Sequence, residues 1–600
     1  YEYFVDAQAR PDETPKVFFA ANMRSVSHDG SRKSFMGNYR DFKNPISLER
    51  GSCGNSDLKG GEALFAMQFD LTASEKPQNL SVFLGTYAQT ENVEPLLEKL
   101  REKDYAKKEF ESVKNRLTER KKYFSADIPD KDAQRMANVF NPLQAYVNFL
   151  VCREISFYAT GTIRGVGMRD AAQDVLANIL YDLPASEEKI LLLLGQQYNC
   201  GKTNHYFYPI EKREPLVSDR SDNHLWLVYA VHKVICECGK TDFLYKTAPY
   251  YDGGEGTVLE HIEKSVAYTV NHLGEHGLPL MLGSDWNDML SNVCKEGKGE
   301  SVFVSQMLVL ACKQLKEIYA IIGKNGDKFD EIIAQQEKVL NDFCWNEDRF
   351  IRAVSDEGLK IGNRDEKCGA LWINSQSWAV LSECTDEEKL RKCMETTVST
   401  LDCGYGLLKL YPPLQRNYPS KEHELTFAQP GVNENGGVFC HANTWAIIAE
   451  CMLGNNNEAY KIYKELIPHN IVKKFGVEKY NAEPYIYSSN IRAPMALDAG
   501  QAGVSWLSGT ASWMMIALEE YIFGVKPCFT GLKIKPCIPD EWKKATVKRY
   551  FRGCEYTIEI DNSAACGNTV KEIYLDGKKF NGEYILSSAQ TASVKIIMGK

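Results

Sequence analysis

The sequence contains no run of about 18 uncharged apolar residues and no CxxC pair among its cysteines. The first absence argues against a membrane-spanning helix, and the second argues against a disulfide framework. The 18 cysteines are spread along the whole chain. Several of them, such as Cys312 and Cys451, stand in apolar helical patterns, which is typical of buried, reduced thiols in a cytosolic protein.

An excess of basic residues is also missing, because the formal net charge is −9. The protein therefore has no positive field that would attract nucleic acid or anionic lipid. Ten histidines are scattered without zinc-ligand spacing, so we expect neither a metal ion nor an organic cofactor. No secretory signal is visible, and we expect a cytoplasmic protein.

The 600-residue chain is longer than a domain with one ordinary hydrophobic core. Its residue pattern divides it into four parts. Residues 1–90 favour β-strands, since "EALFAMQFDL" places Phe65, Met67, Phe69 and Leu71 on one face. A charged segment of helical period, residues 91–134, is typical of a linker. Residues 135–524 carry about a dozen amphipathic helical patterns. This number of successive helices predicts an α/α toroid with inner helices around a central pocket. Residues 525–600 return to a small β-sandwich, with a hairpin at Asp576-Gly577.

The stretch "GSDWNDML", residues 283–290, places Asp285 and Asp288 on either side of Trp286. One interpretation is that an aspartate or asparagine here caps a following helix. The other is that one carboxyl has a raised pKa and donates a proton, with Trp286 as the aromatic wall on which a sugar stacks. Spacing alone does not separate the two aspartates.

Three further segments combine basic or hydroxyl side chains with glycine. In residues 152–174, Arg153, Arg164, Arg169 and Asp170 surround a glycine-rich turn, which is either a solvated charged face or a site for an oxyanion and sugar hydroxyls. His441 precedes a predicted helix start at Asn443, and Ser508-Gly509 precedes another; each is either structural or part of an anion site. Together these segments predict a carbohydrate enzyme that handles phosphate.

At the same segments the sequence resembles glycoside hydrolase family 94, the inverting disaccharide and oligosaccharide phosphorylases. The resemblance rests on motifs in the family's order and covers nearly the whole chain: "MGNYRDFKNPISLERG", "RGVGMRDAAQD", "DWND", "NENGGVFCHANTW", "EPYIY", "WLSGTASW" and "GLKIKPCIPDEW". It implies a mostly α fold, with an (α/α)6-barrel catalytic domain between an N-terminal β-sandwich with helical linker and a C-terminal β domain. It also implies that the sandwich is partial here, because relatives begin before a residue like Tyr1.

The resemblance assigns roles to residues of this sequence. Asp288 matches the general acid. The positions that match phosphate-binding residues are Arg153, His441, Ser508 and Gly509. The positions that match sugar-binding residues are Arg164, Arg169, Asp170 and Trp286, and we expect two more pocket residues, Glu483 and Tyr485.

The activity implied is phosphorolysis of a β-linked gluco-oligosaccharide, with inorganic phosphate as co-substrate, to α-glucose 1-phosphate and a shortened acceptor. A homodimer is implied by the family alone. Two alternatives remain open. One is an inverting (α/α)6 hydrolase that uses water with Glu434 or Glu483 as base. The other is a carbohydrate-binding relative without catalysis.

Overall fold

The computed structural model describes residues 16–57, 62–75, 77–88, 90–151, 165–208, 214–215, 218–421, 424–425 and 428–599. The chain divides into two compact units. One unit comprises residues 1–119 with 210–212, and the other comprises residues 120–209 with 213–600.

The smaller unit contains two antiparallel strand pairs. Lys16–Ala21 pairs with Val82–Tyr87, and Ser27–Ser31 pairs with Ala63–Gln68. The alternating segment therefore forms a strand as predicted, but the strand ends at Gln68, before Phe69 and Leu71. The helices of this unit are Arg32–Met36, Ile46–Arg50, Glu94–Arg101 and Tyr105–Glu119.

The larger unit is built on helices that alternate between an inner ring and an outer ring. In the described part of the chain the inner helices are Met168–Asn178, Leu225–Cys238, Val302–Ile321, Ile373–Ser382, Cys440–Met452 and Thr510–Ile516, the last continued by a π-helix at Ala517–Ile522. The outer helices are Asn141–Val151, Leu183–Leu194, Val258–Val270, Asp327–Val339, Glu387–Leu401 and Asn456–Glu465. Each inner helix packs against the next, and the sixth packs against the first, so the ring closes. The predicted (α/α)6 barrel is confirmed.

Aromatic side chains fill the axis of the barrel. Trp226, Trp378, Trp445 and Trp513 come from four different inner helices, and their ring centroids lie 5.3–6.1 Å apart in the contacting pairs. Phe303, from a fifth inner helix, packs 5.2 Å from Trp378. These large side chains pack against one another between the inner helices, and they form the floor beneath the loops that precede those helices.

Short strand pairs fix the chain where several inner helices begin. Four inner helices follow directly on the strands Val166–Gly167, Glu300–Ser301, Leu371–Trp372 and Val438–Phe439. The partners of these strands are Tyr206–Phe207, Ala353–Val354, Leu410–Tyr411 and Asn490–Ile491. Because inner and outer helices alternate as antiparallel pairs, the inner helices all start at the same end of the barrel, and their unpaired N–H groups make that end positive.

The C-terminal residues form two sheets. The larger sheet has the order Lys578–Phe580, Val570–Leu575, Thr591–Met598, Cys554–Asp561, Lys544–Phe551 and Phe124–Asp127. The smaller sheet joins Val525–Cys528, Gly531–Ile534 and Tyr584–Ile585. The predicted hairpin is present, with positive φ at both Asp576 and Gly577, as a type I′ turn requires. The edge strand of the larger sheet, Phe124–Asp127, comes from the segment that the sequence pattern assigned to a linker.

Two expectations about helix starts are wrong. The helix expected to begin at Asn443 begins at Cys440. The Asn443 side chain does not cap it: it donates to the carbonyls of Leu407 (2.9 Å) and Phe439 (3.0 Å) and accepts the Leu407 N–H (2.7 Å). His441 therefore lies inside the first helical turn. After "GSDWN" there is only one 3-10 turn, Asp288–Leu290, and no side chain caps it.

The described residues contain no helix that is long and apolar enough to cross a membrane. Every cysteine in the described part of the chain is a free thiol, as its dispersed spacing predicts.

Candidate active site

The loops that precede the inner helices gather their charged side chains at one end of the barrel. Asp288, after the outer helix Val258–Val270, keeps 48% of its side chain exposed. Its Oδ1 accepts a hydrogen bond from Arg169 Nη2 at 2.7 Å, and Arg220 Nη2 lies 3.6 Å away. A carboxylate that two guanidinium groups hold and that still faces open space is available to a ligand.

Asp285, three residues earlier, is fully buried, and its contacts are those of a structural residue. Its Oδ1 accepts Arg352 Nη2 at 2.7 Å and the Asn287 N–H at 2.9 Å. Its Oδ2 accepts the Ser301 hydroxyl at 2.7 Å. These contacts fix the loop shape that presents Asp288, so the geometry separates the two aspartates that spacing left equivalent.

Arg169 connects the loops. Besides Asp288 it contacts Asp222 Oδ1 at 3.3 Å and donates to the carbonyl of Asp285 at 2.8 Å. Burial opposes its charge, but Asp288 and Asp222 outweigh burial and raise the pKa of Arg169 further. Asp170 follows it and lies against Gly167, where a Cβ would come within 3.0 Å of Asp170 Oδ2. Arg169 and Asp170 thus lie together at the start of an inner helix.

The electrostatic surroundings of Asp288 favour its ionised form in the ligand-free protein. Burial raises its pKa, but Arg169 and Arg220 outweigh burial, and the net pKa is below the ordinary value. His205 lies nearby; burial, Arg169 and Arg220 lower its pKa to about 3, so it is neutral. A ligand anion that offset the two arginines would raise the pKa of Asp288 again.

Trp286 forms one wall of the same region. Its ring centroid lies 5.0 Å from that of His441 and 4.7 Å from that of Trp445, both edge-on. One face of the indole is covered by Lys409, whose Nζ lies 3.9 Å from the ring centroid. The predicted Trp286 and His441 are therefore neighbours, although they are 155 positions apart in the sequence.

Ser508 and Gly509 precede the helix Thr510–Ile516, which packs between the inner helices that carry Arg169 and His441. The Ser508 hydroxyl accepts the Thr510 N–H at 3.1 Å, and its carbonyl accepts Asn148 Nδ2 at 2.8 Å. The hydroxyl therefore bonds the first N–H of the helix from the residue before its N-cap, Gly509, and it is buried at the positive end of the ring.

Glu483 and Tyr485 are placed differently from each other. Glu483 accepts the indole N–H of Trp506 at 2.9 Å, two residues before Ser508. Tyr485 is exposed, and its ring stacks on Phe140 with centroids 4.9 Å apart. Glu483 thus supports the Ser508 loop, whereas the contacts of Tyr485 are with a residue next to an outer helix.

The sequence matches two family domains. Residues 117–524 match the glycosyl hydrolase 94 superfamily catalytic domain, and residues 4–103 match the glycosyl hydrolase 94 supersandwich domain. The chain belongs to glycoside hydrolase family 94. It is a family 94 phosphorylase, an enzyme of the glycosyltransferase type.

Curated relatives of this family 94 chain include phosphorylases that are named for different substrates. Solabiose phosphorylase of Paenibacillus borealis is 31% identical over 99% of this chain and 76% of its own length. N,N'-diacetylchitobiose phosphorylase of Vibrio proteolyticus is 31% identical over 97% of this chain and 75% of its own length. A 3-O-beta-D-glucopyranosyl-beta-D-glucuronide phosphorylase of P. borealis is 25% identical, over 94% of this chain and 73% of its own length.

Several residues of the candidate site were not selected from sequence. Arg220, Asp222 and His205 surround Arg169, and Lys409 covers Trp286. The sequence signal for Arg220 and Asp222 was a charged segment before a helix, "SDRSDNHLW". The signal for Lys409 was a lysine in an apolar run, "LLKLY". Two of the predicted residues, Arg153 and Arg164, lie outside the described residues.

Glu434, considered above only as a hydrolytic base, is buried beside the site. Its Oε2 accepts the N–H of Met289 at 3.0 Å, directly after Asp288. Burial raises its pKa, Lys409 lowers it, and Asp288 raises it.

Among the residues that the structure describes, one group has the composition of a metal site: His232, Cys236 and Glu317. His232 Nε2 lies 2.8 Å from Glu317 Oε2, which an ordinary ion pair explains. The group stands in the second half of the helix Leu225–Cys238, away from the helix starts that carry the candidate active site.

Proposed function

We propose that the protein catalyses inverting phosphorolysis of a β-linked gluco-disaccharide or oligosaccharide, releasing α-glucose 1-phosphate and a shortened acceptor. Asp288 is the general acid that protonates the glycosidic oxygen. Inorganic phosphate is the nucleophile and attacks the opposite face of the donor sugar. The reaction is reversible, and no side chain has to act as base, because phosphate is already an anion.

The observation that carries this proposal is the contrast between Asp285 and Asp288. Asp285 is buried and saturated by Arg352, Ser301 and a backbone N–H. Asp288 is half-exposed at the inner-helix starts and is oriented by Arg169. A proton donor has to reach its substrate in a fixed orientation, and only Asp288 meets both conditions.

Phosphate would bind at the end of the barrel where the inner helices begin and positive groups lie. His441 lies in the first turn of one inner helix, Ser508 and Gly509 stand at the start of the next, and Arg153 is proposed to complete the set. Helix N-termini and a buried hydroxyl are suited to an oxyanion. Bound phosphate also counteracts Arg169 and Arg220, which raises the pKa of Asp288 and supplies the protonated acid that the reaction needs.

Glu434 is unsuited to the role of base in the hydrolytic alternative. A base in an inverting hydrolase activates water on the face of the sugar opposite to the acid. Glu434 accepts the peptide N–H next to Asp288, and this supports a position on the side of the acid.

The experiment replaces Asp288 by asparagine and measures phosphorolysis and reverse synthesis from α-glucose 1-phosphate with a panel of acceptors. We expect Asp288→Asn to lose at least about a thousandfold in kcat with an unchanged melting temperature, because the amide cannot donate the proton. Product release from the wild type should require phosphate.

The matched control is Asp285→Asn, which changes the other aspartate of the same loop. It should lower the melting temperature, since a buried ion pair with Arg352 is broken at a cost of about 3–5 kcal/mol. Substantial activity in Asp288→Asn, or free reducing sugar from the wild type without phosphate, would refute the proposed function.

A further inference from the structure

His232, Cys236 and Glu317 form a cluster that the proposed mechanism does not use. His232 and Cys236 lie four residues apart on the inner helix Leu225–Cys238, and Glu317 lies on the next inner helix, Val302–Ile321. One nitrogen of His232, the sulfur of Cys236 and one carboxylate oxygen of Glu317 all lie within 4.8 Å of one another. Imidazole nitrogen, thiolate sulfur and carboxylate oxygen are the donors that bind zinc in proteins.

The distances within this cluster fit a common metal centre. His232 Nε2 faces both partners, with Glu317 Oε2 at 2.8 Å and Cys236 Sγ at 3.6 Å. In a tetrahedral zinc site, Zn–N and Zn–S bonds of about 2.0 and 2.3 Å place the nitrogen and the sulfur about 3.6 Å apart. The nitrogen and the oxygen would be about 3.4 Å apart, so Glu317 has to move outward by about 0.6 Å. An ion pair accounts for the contact with Glu317, but it gives the sulfur no role.

The cluster is built on a rigid part of the barrel. Residues at i and i+4 lie on one face of a helix, and two histidines with this spacing hold zinc in H-E-x-x-H sites. The two helices pack against each other, and the cluster lies near the C-terminal ends of both, where free carbonyl groups favour a cation. Arg552 fixes the end of the first helix, because it donates to the carbonyls of Cys236 at 2.7 Å and Glu237 at 3.0 Å.

The three side chains differ in burial. Cys236 is 3% exposed and the His232 side chain is 17% exposed, so packing holds both, whereas the Glu317 side chain is 48% exposed. Lys526 acts on Glu317 from a neighbouring strand, and its Nζ donates to the Tyr521 hydroxyl at 3.5 Å. An ion can therefore enter past the Glu317 carboxylate, and water can take the fourth position around it.

We infer that His232, Cys236 and Glu317 bind a zinc ion, which joins two inner helices at the end of the barrel opposite to the candidate active site. Cys236 binds as the thiolate, and its proton passes to solvent. The ion has a structural role, because the candidate active site lies at the other end, where the inner helices begin. The sequence spacing did not predict this site, since Glu317 is 85 positions from His232.

The test is zinc binding by the full chain after its metal has been removed with EDTA. Competition with a chromophoric chelator measures the affinity of the wild type, Cys236→Ser, His232→Gln and Glu317→Gln. We expect the wild type to bind one zinc ion per chain. Each variant should bind at least about a hundredfold more weakly, because the loss of a residue that only orients a ligand already costs about 10–100-fold.

Cobalt reports the donor set directly. Co²⁺ in place of zinc should give the wild type the thiolate-to-cobalt charge-transfer absorption of a sulfur-ligated site, and Cys236→Ser should lack it. Zinc should also raise the melting temperature of the wild type by a few degrees and leave that of Cys236→Ser unchanged, because an ion that binds only the folded chain stabilises it.

Cys238→Ser is the matched control. Cys238 belongs to the same helix, two residues further on, and its sulfur lies 3.3 Å from the carbonyl of Lys240. This variant should bind zinc and cobalt as the wild type does.

A wild-type chain that takes up no zinc, or a Cys236→Ser variant that binds it equally well, would overturn the proposal and leave His232 and Glu317 as an ion pair. If Cys236→Ser does not fold, the half-exposed Glu317→Gln decides, since undiminished affinity there contradicts the same inference. The result is independent of the proposed function, because metal binding and not turnover is measured.

Discussion

At the scale of single residues, function depends on differences in environment between identical side chains. Asp285 and Asp288 share one loop and one residue type, but Arg352 and Ser301 surround the first, and Arg169 orients the second toward open space. The sequence identified the segment and its aromatic wall. It did not distinguish the two carboxyls by spacing, because their partners come from positions 169, 301 and 352.

The buried hydroxyl of Ser508 accepts the Thr510 N–H and also has a proposed ligand role, and substitution separates the two. We expect Ser508→Ala to raise the KM for phosphate by about tenfold, because a hydrogen bond to a charged ligand is worth about 1.5–3 kcal/mol. Ser508→Thr should retain wild-type values, since it keeps the hydroxyl. Initial rates at varied phosphate measure the effect.

The KM for sugar is the internal control for Ser508→Ala. An equal rise in both constants would indicate a distorted loop rather than a lost phosphate contact, and unchanged constants would remove Ser508 from the phosphate site.

At the scale of elements, the helical period predicted most barrel helices, but it did not predict the first residue of each helix. The helix around "NTWAIIAECM" begins at Cys440, and Asn443, inside its first turn, bonds to Leu407 and to the carbonyl of Phe439. The contact with Leu407 joins residues 36 positions apart, and a local capping rule cannot detect it. The correction moves His441 into the first turn, where it contacts Trp286.

The outer helix Val258–Val270 shows a start that local sequence does determine. Thr257 Oγ1 accepts the Glu260 N–H at 3.2 Å, and Glu260 accepts the Thr257 N–H at 2.7 Å, which is a capping box. We expect Thr257→Ala to lower the free energy of unfolding by about 1 kcal/mol, and Thr257→Ser to preserve it. Thermal melts measure the change.

Activity at 25 °C should not change in Thr257→Ala, because the cap lies on the outer ring. A melting temperature equal to that of the wild type would show that tertiary packing alone fixes this helix start.

At the scale of the whole molecule, the barrel and the C-terminal sheets share buried charges. Arg549 of the larger sheet donates from Nη2 to both carboxylate oxygens of Glu237 at 2.8–2.9 Å, and its Nε donates to Glu519. Glu237 belongs to an inner helix and Glu519 to the π-helix that continues another. The C-terminal sheets are therefore integrated with the barrel, and residues 124–127, which sequence assigned to a linker, complete the larger sheet.

Buried histidines predict the pH dependence of stability. His224 is buried and bonds Thr269 at 2.7 Å; burial lowers its pKa to about 3. The unfolded chain binds the proton near pH 6.5, so the stability from neutral His224 is complete above that pH and is lost as pH falls toward 3. At pH 5 this group alone should lower the free energy of unfolding by about 2 kcal/mol relative to pH 8.

Denaturant melts between pH 8 and pH 4.5 test this expectation. His224→Gln should reduce the slope without abolishing it, because His205, whose pKa is also about 3, titrates over the same range. Equal slopes in His224→Gln and the wild type would show that His224 is not the group that titrates.

The sequence by itself determined the order of β, helical and β segments, the family, and the segments that carry the candidate site. Each of these rests on short-range signals: periodicity, turn residues such as Asp576-Gly577, and contiguous motifs. Only the tertiary structure decided which aspartate faces the pocket, that Lys409 lies against Trp286, and that a strand at Phe124–Asp127 joins the C-terminal sheet. The reason is physical: burial and charge at a site are set by neighbours that ring closure brings from distant positions, and no local pattern encodes them.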